Sequence, residues 1–392
     1  MNRERGMTMV ELMVSLVIVM LIIGAATTAY LKLLRTYKTQ GRLAEGYMAN
    51  LTGMELLRYD IQMAGFGLPI NVTGVNYNEA VDGGVPYSPA SLNDSANNPA
   101  TPRAFAHLDS TNNGSDVLAI KSSAASVNPM SKKWSMIIGA TAPVVKMWGG
   151  TVADGALDFA PNDMFIVLDN SYQLMTKGGA WSFAFSNAYY TNATNLPAPA
   201  NDQKINYIYG LDSGNVRMPF NRVDYHLGPG LGHCAANTST LYRSTVSQVD
   251  GSLSPAPLID CVQDFQVAFG LALNNTVGNV DTWVANLGGM SANQIQQQVR
   301  EVRVFLLYQE GSGDAGKSAD FRFSGTLNLG DQDIAKSLDA TYVATNTFQQ
   351  LSSGTLTGNP ALSFFTPQGP QCQYRWKVLE MAIKPVNLIT RQ

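Results

Sequence analysis

Charge is scarce in this chain. Asp, Glu, Lys and Arg make up 14 % of its 392 residues, against roughly 25 % in an average soluble protein. The net charge is only −3, so nothing points to the basic face that nucleic-acid binders usually carry, and nucleic acid is not an expected partner. Cysteine is rarer still. Cys234, Cys261 and Cys372 are an odd set that permits at most one internal disulfide. Cys234 and Cys261 lie closest in sequence and flank an expected hairpin, so they are the expected pair if the compartment is oxidising. The other reading is three small buried hydrophobes.

Histidine occurs three times, as His107, His226 and His233. His226, His233 and Cys234 lie near one another, but a second pair at ligand spacing is missing, which favours structural histidines over a metal centre. The patterns Gly-x-Ser-x-Gly and His-Glu-x-x-His are both missing. Asp331 and Asp333 begin like a calcium loop and lack its later ligands. No enzyme activity, cofactor or catalytic residue is therefore assigned. One motif argues the other way: residues 311–318, Gly-Ser-Gly-Asp-Ala-Gly-Lys-Ser, satisfy the P-loop pattern. That pattern needs a helix opening at Lys317, whereas residues 319–323 alternate like a strand, so a Gly-rich hairpin is expected instead.

Proline is missing before Pro69, and residues 12–31 contain no Asp, Glu, Lys or Arg. At about 1.5 Å per residue that run spans roughly 30 Å, the thickness of a bilayer's hydrocarbon core. It is too long for the core of a cleaved secretory signal, and only Gly24, Ala25 and Ala26 imitate a cleavage site. Beyond it, Tyr30, Leu34, Tyr37, Gly41, Ala44, Met48, Leu51, Met54, Leu57, Ile61 and Ala64 recur at steps of three and four. One helix is predicted from about residue 8 to about residue 64, roughly 85 Å long. Gly65, Gly67 and Pro69 supply its stop. Glu11 is the anomaly, a lone carboxylate in the first turns of a membrane helix. An isolated helix would tolerate it at the interface, where the macrodipole favours an anion, but charges in such segments normally have a partner.

Gly6, Met7, Thr8, Met9, Val10, Glu11, Leu12 and the apolar run closely resemble the class III signal of type IV prepilins and pseudopilins. The resemblance implies that a prepilin peptidase cuts between Gly6 and Met7 and methylates Met7. It also implies that Glu11, fifth residue of the mature chain, pairs with the terminal amine of a neighbouring subunit. Phenylalanine is commonest after the cut, and methionine is a departure. Lys32, Arg35, Lys38 and Arg42 outnumber Arg3 and Arg5, so positive-inside counting opposes an exported head. The peptidase acts on the cytoplasmic face, and the leader's resemblance to its substrate outweighs the count.

Residues 71–102 are dense in Asn, Gly, Pro and Ser and read as a surface loop without chemistry. Strands are expected at 116–121, 144–148, 164–168, 172–176 and 181–185 as an antiparallel meander turning at Asp169, Asn170 and Ser171. The pairs Tyr189 with Tyr190, Tyr207 with Tyr209, and Phe364 with Phe365 are read as core or strand residues rather than an adhesive surface. Further strands at 223–227, 241–243, 258–267 and 299–307, with a tail at 375–387, resemble the strand series of the minor pilin family PilW and the related type II secretion pseudopilin GspJ.

The expected class is α+β, a long N-terminal helix carrying an antiparallel β-rich head. The expected sections are a leader (1–6), a transmembrane segment (7–31), its amphipathic continuation (32–66), a loop-rich β section (67–205) and a PilW/GspJ-like β section (206–392). The resemblance implies a minor pilin that helps initiate a type IV pilus in a tip or priming complex. Its implied partners are the peptidase, other minor pilins, the major pilin, the inner-membrane assembly platform and the membrane itself. The head would lie in the periplasm and reach the cell surface on assembly. The alternatives are a type II secretion pseudopilin and a membrane-tethered adhesin or receptor.

Overall fold

The structure is a computed structural model that describes residues 8–72, 74–94, 101–112, 115–150, 152–212, 214–232, 234–273, 280–310, 327–329, 363–365 and 375–389. Gly6, Met7, Lys317, Asp331, Asp333, His233 and Cys372 lie outside them, as do the P-loop-like run and the strand expected after it.

The stem is a single helix, α1 (Met9–Gln62), 54 residues without a break. The strands are β1 (Phe105–Asn112), β2 (Ser115–Ser122), β3 (Trp134–Ile138), β4 (Val144–Val145), β5 (Met164–Leu168), β6 (Ser182–Ala184), β7 (Asn206–Gly210), β8 (Asn221–Gly228), β9 (Ser239–Val246), β10 (Leu253–Leu271), β11 (Thr282–Val284), β12 (Val299–Glu310), β13 (Leu327–Leu329), β14 (Ser363–Phe365) and β15 (Arg375–Ile383). Short helices α2 (Ala292–Gln298) and α3 (Val386–Ile389) flank the last long strands. The class is α+β, and the ladders between named strands are antiparallel.

The large sheet runs β1-β2-β8-β9-β10-β12-β15, with β11 on β10, and a smaller one runs β4-β3-β7-β5-β6. The two expected β sections are interleaved rather than successive. β1 and β2, from before residue 206, belong to the large sheet, while β7, from after it, sits in the middle of the small one. The expected meander is altered for the same reason, since β7 separates β3 from β5. Residues 172–176 form isolated bridges rather than a strand. The turn before them is as expected, with Asp169 Oδ1 accepting from the Ser171 and Gln173 amides at 2.8 and 2.9 Å. The last strand ends at Ile383, not 387, because Pro385 breaks the ladder and opens α3.

The core lies between the stem's end and one face of the large sheet. Alternation along β10 and β12 puts Phe265, Val267, Val302, Val304 and Leu306 on one face, where they are buried with Leu57 and Ile61 of α1. The small sheet buries a second cluster on its far side, including Phe159, Phe165, Val167 and Ile208. Tyr189 and Tyr190 pack against that cluster, and the Tyr190 hydroxyl donates to the Phe159 carbonyl at 3.0 Å.

Candidate assembly stem and its junction with the head

The stem begins with a capping box. Thr8 accepts from the Glu11 amide at 3.3 Å, and the Thr8 amide donates back to Glu11 Oε2 at 2.8 Å. This arrangement satisfies two otherwise orphan amides of the first turn. It also holds the Glu11 carboxylate, fully exposed, at the very start of an apolar rod. Met9–Lys38 is long and apolar enough to cross a membrane, and the head covers none of its most apolar stretch. Val10, Leu12, Val17 and Leu21 are all more than half exposed.

The apolar stripe divides in two. Tyr30, Tyr37, Met48 and Leu51 remain exposed, whereas Met54, Leu57, Ile61 and Ala64 are buried. At Gly53 the helix touches the head so closely that a Cβ would lie 2.7 Å from the Leu258 carbonyl oxygen and 2.9 Å from Ile259. That contact falls where the β9–β10 register shifts. Within the shifted segment Cys261 has a positive φ of 55°, and it is joined to Cys234 by a disulfide with the Cα atoms 5.2 Å apart.

Two turns further along the stem, Asp60 is buried and accepts from the Tyr225 hydroxyl at 2.6 Å and from Arg243 Nε at 2.7 Å. The stem thereby carries the anion that neutralises a buried arginine of the sheet. Burial and the Asp60 charge push the Tyr225 hydroxyl well above its ordinary range, so it stays a donor. Past the helix end, positive φ at Gly65 and Gly67 turns the chain onto β2. There the Gly65 amide donates to the Lys121 carbonyl at 3.0 Å, and the Ser123 amide donates to the Phe66 carbonyl at 2.7 Å. The C-terminal tail closes the junction, with Asn387 Nδ2 donating to the Gln62 carbonyl at 3.3 Å.

The segment read as a chemically silent surface loop is neither silent nor wholly at the surface. Residues 75–94 strap over β2 and β8, burying Val75, Tyr77 and Ala80 in the main core and Leu92 against Val117 and Ala119 on the outer face, with Glu79 buried as well. The strap brings Glu79 and Asp94 to Lys121, Arg222 and Asp224, whose side chains are all at most 6 % exposed. Lys121 Nζ lies 2.6 Å from Glu79 Oε2 and 2.5 Å from Asp94 Oδ2. Arg222 makes a two-pronged contact with Asp224 at 2.7 Å on both arms, and Arg103 pairs with Asp94. Three acids meet three bases, so the desolvated cluster is neutral. Loop composition hid it; charged Lys121 and Asp224 within expected strands, with Arg222 just ahead of the second, were the available signal. Tyr87 completes the strap by donating to Asp224 Oδ2 at 2.8 Å.

The two described histidines are buried. His226 Nε2 lies 2.8 Å from Ser244 Oγ, and His107 Nε2 lies 3.1 Å from Asp116 Oδ2. Among the described residues no group of three or more His, Cys, Asp or Glu side chains is arranged to hold a metal.

Neither a curated protein nor a solved structure matches the chain. Residues 230–383 match the family model described as Type IV Pilus-assembly protein W, a span that holds β9 to β12, β15 and the disulfide. Residues 1–27 match the model of the Prokaryotic N-terminal methylation motif, the segment that holds Glu11 and the start of the stem. The two matches, one at each end of the chain, support a type IV pilus-related pilin.

Proposed function

We propose that the protein is a minor pilin, a structural subunit that helps to start or build a type IV pilus within a tip or priming complex. The carrying observation is an exposed carboxylate, Glu11, fixed by a capping box at the head of an uncovered apolar helix inside the N-terminal methylation motif. In lipid that charge needs a cation. A peptidase cut between Gly6 and Met7 creates one on every subunit, and N-methylation of Met7 leaves it positive. Glu11 of an incoming subunit then pairs with the amine of its neighbour and fixes the axial register of the two stems. Before assembly the stem holds the protein in the inner membrane with its head in the periplasm. Afterwards the head is displayed on the filament beside other minor pilins and the major pilin.

Mass spectrometry of the mature N-terminus tests the processing, with N-methyl-Met7 expected; an intact Met1 in membranes would overturn it. Glu11→Ala tests the pairing. The variant should stay in the membrane and drop out of sheared filaments, whereas equal incorporation would overturn the pairing. A deletion strain that loses protein secretion but keeps its pili would reassign the same stem to a type II secretion pseudopilin.

A further inference from the structure

The buried Lys121, Glu79 and Asp94 triad does more than a set of ion pairs needs to. Its lysine is fully buried and sits with Nζ 2.6 Å from one carboxylate and 2.5 Å from another, 3.3 Å from the Leu92 carbonyl and 5.4 Å from the centre of the Phe220 ring. Glu79 is fully buried too and is anchored by the Asp94 amide, which donates to Oε1 at 2.7 Å. Arg222 Nη1 lies 3.4 Å from Glu79 Oε2. On the other side of Asp94, Arg103 contacts Oδ1 through Nε, and its backbone amide donates to Oδ2 at 2.8 Å. An amine, a carboxyl group, an acid able to shuttle protons and a cation beside the carbonyl oxygen are thus held together out of water.

We propose that Lys121 and Asp94 condense into an intramolecular isopeptide bond, with Glu79 as the proton carrier, tying the strap covalently to β2. The Lys121 ammonium first passes a proton through Glu79 to the Asp94 carboxylate, leaving a neutral amine beside a neutral acid. The Nζ lone pair attacks Cγ, forming the C–N bond, and the carbonyl electron pair moves onto Oδ1 beside Arg103. Glu79 takes a proton from the nitrogen and delivers it to the departing Oδ2 hydroxyl. The C–Oδ2 bond breaks and one water leaves. Ammonium plus carboxylate become amide plus water, so charge is conserved and no outside reagent is needed.

Two physical terms favour this end point. Fixed contact replaces a bimolecular encounter with an intramolecular one. The product also converts a desolvated ion pair into a neutral amide, and the two carboxylates and two arginines left behind remain balanced. Against it, Lys121 and Arg103 hold the Asp94 carboxyl below its ordinary range despite its burial. The ion pair is therefore the starting form, and the bond forms slowly after folding.

The test is the mass of the intact, full-length protein purified in detergent, reduced and aged, followed by proteolytic mapping. A mass lower by one water is expected, together with a branched peptide that joins the Asp94 and Lys121 fragments. Glu79→Gln and Lys121→Arg should restore the full mass while far-ultraviolet circular dichroism stays that of the parent. Full mass with two linear peptides in the aged parent protein overturns the proposal and leaves an ion cluster only, whatever the variants do. A water loss that persists in Lys121→Arg overturns it as well, because it marks a cyclic imide at Asp94 instead of a cross-link.

Discussion

The first four-fifths of the stem helix and its last three turns share a backbone, a period and an apolar stripe, yet they meet different surroundings. From Met9 to Leu51 the stripe faces outward, with Met48 70 % and Tyr37 76 % exposed; from Met54 to Ala64 it is buried under β10 and β12. Each part also carries an acid whose setting reflects its surroundings. Glu11 is exposed and bonded only to its own first turn, whereas Asp60 is buried against Arg243 and Tyr225 of the head. Hydrophobic periodicity alone therefore marks a face that will be covered without saying by what. The placement of charge within it distinguishes a face covered by the chain's own head from one the head leaves uncovered.

The largest effect expected from this contrast is at Asp60. Asp60→Ala leaves Arg243 buried without its counter-charge, which costs on the order of 3 to 5 kcal/mol. It should lower the urea midpoint of the head, followed by tryptophan fluorescence in detergent. Glu11→Ala should leave that midpoint where it was, because Glu11 touches nothing in the head. If both substitutions moved the midpoint alike, the two acids would not be doing separate jobs.

A smaller effect, opposite in sign along the helix, is expected from one substitution made twice. Gly53→Ala drives a methyl to within 2.7 Å of a backbone carbonyl, and such overpacking costs about 1 to 3 kcal/mol. Gly41→Ala meets nothing within 4 Å, so only helix propensity acts, which favours alanine by up to about 1 kcal/mol. Thermal unfolding should show the first change destabilising and the second neutral or stabilising. A loss at Gly41 would mean that the outward half of the stem already has a hidden partner in the isolated protein.

The sequence made the stem legible because its signals are local. A charge-free run, a 3.6-residue period and a Gly-Phe-Gly-Leu-Pro stop each depend on neighbouring residues, and the helix ends at Gln62 against an expected end near 64. Strand β5 was visible for the same reason, whereas β8 and β9 were expected only from the resemblance to the PilW and GspJ strand series. The interleaving of the two sheets was not visible, since β2 meets β8 across about a hundred residues of chain and no local pattern encodes such a pairing. The strap was missed on physical grounds. Its backbone is irregular and its composition polar, and it is buried because Glu79 and Asp94 find Lys121 and Arg222 on β2 and β8, with Arg103 just ahead of β1. Polar residues that neutralise one another in three dimensions look like solvent-facing residues in one.

The smallest expected effect bears on how firmly that strap is held compared with the apolar stem junction. Tyr87 of the strap lies over His226 with ring centroids 5.0 Å apart, and Tyr242 stacks on it at 5.8 Å. His226 Nδ1 faces the Leu227 carbonyl at 3.2 Å and Nε2 faces Ser244 Oγ, so the neutral ring donates through the first and accepts through the second. Burial lowers its pKa from the ordinary 6.5 and outweighs the opposite pull of the Leu227 carbonyl and Asp224. The unfolded chain therefore takes up this proton at higher pH than the folded one, and stability rises with pH through that window. The contribution of His226 is present above pH 6.5 and is lost as the pH falls below it. Until the cross-link forms, Asp94, held below its ordinary 3.8, adds a loss of the same sign at more acid pH. Urea midpoints measured from about pH 8 down to about pH 5, the range in which histidine titrates, should decline in the parent and flatten in His226→Gln. Asp60→Ala, which acts at the other face of the sheet, should lower the whole curve without changing its slope. An equal slope in the parent and the His226 variant would show that the strap is insensitive to the ring beneath it.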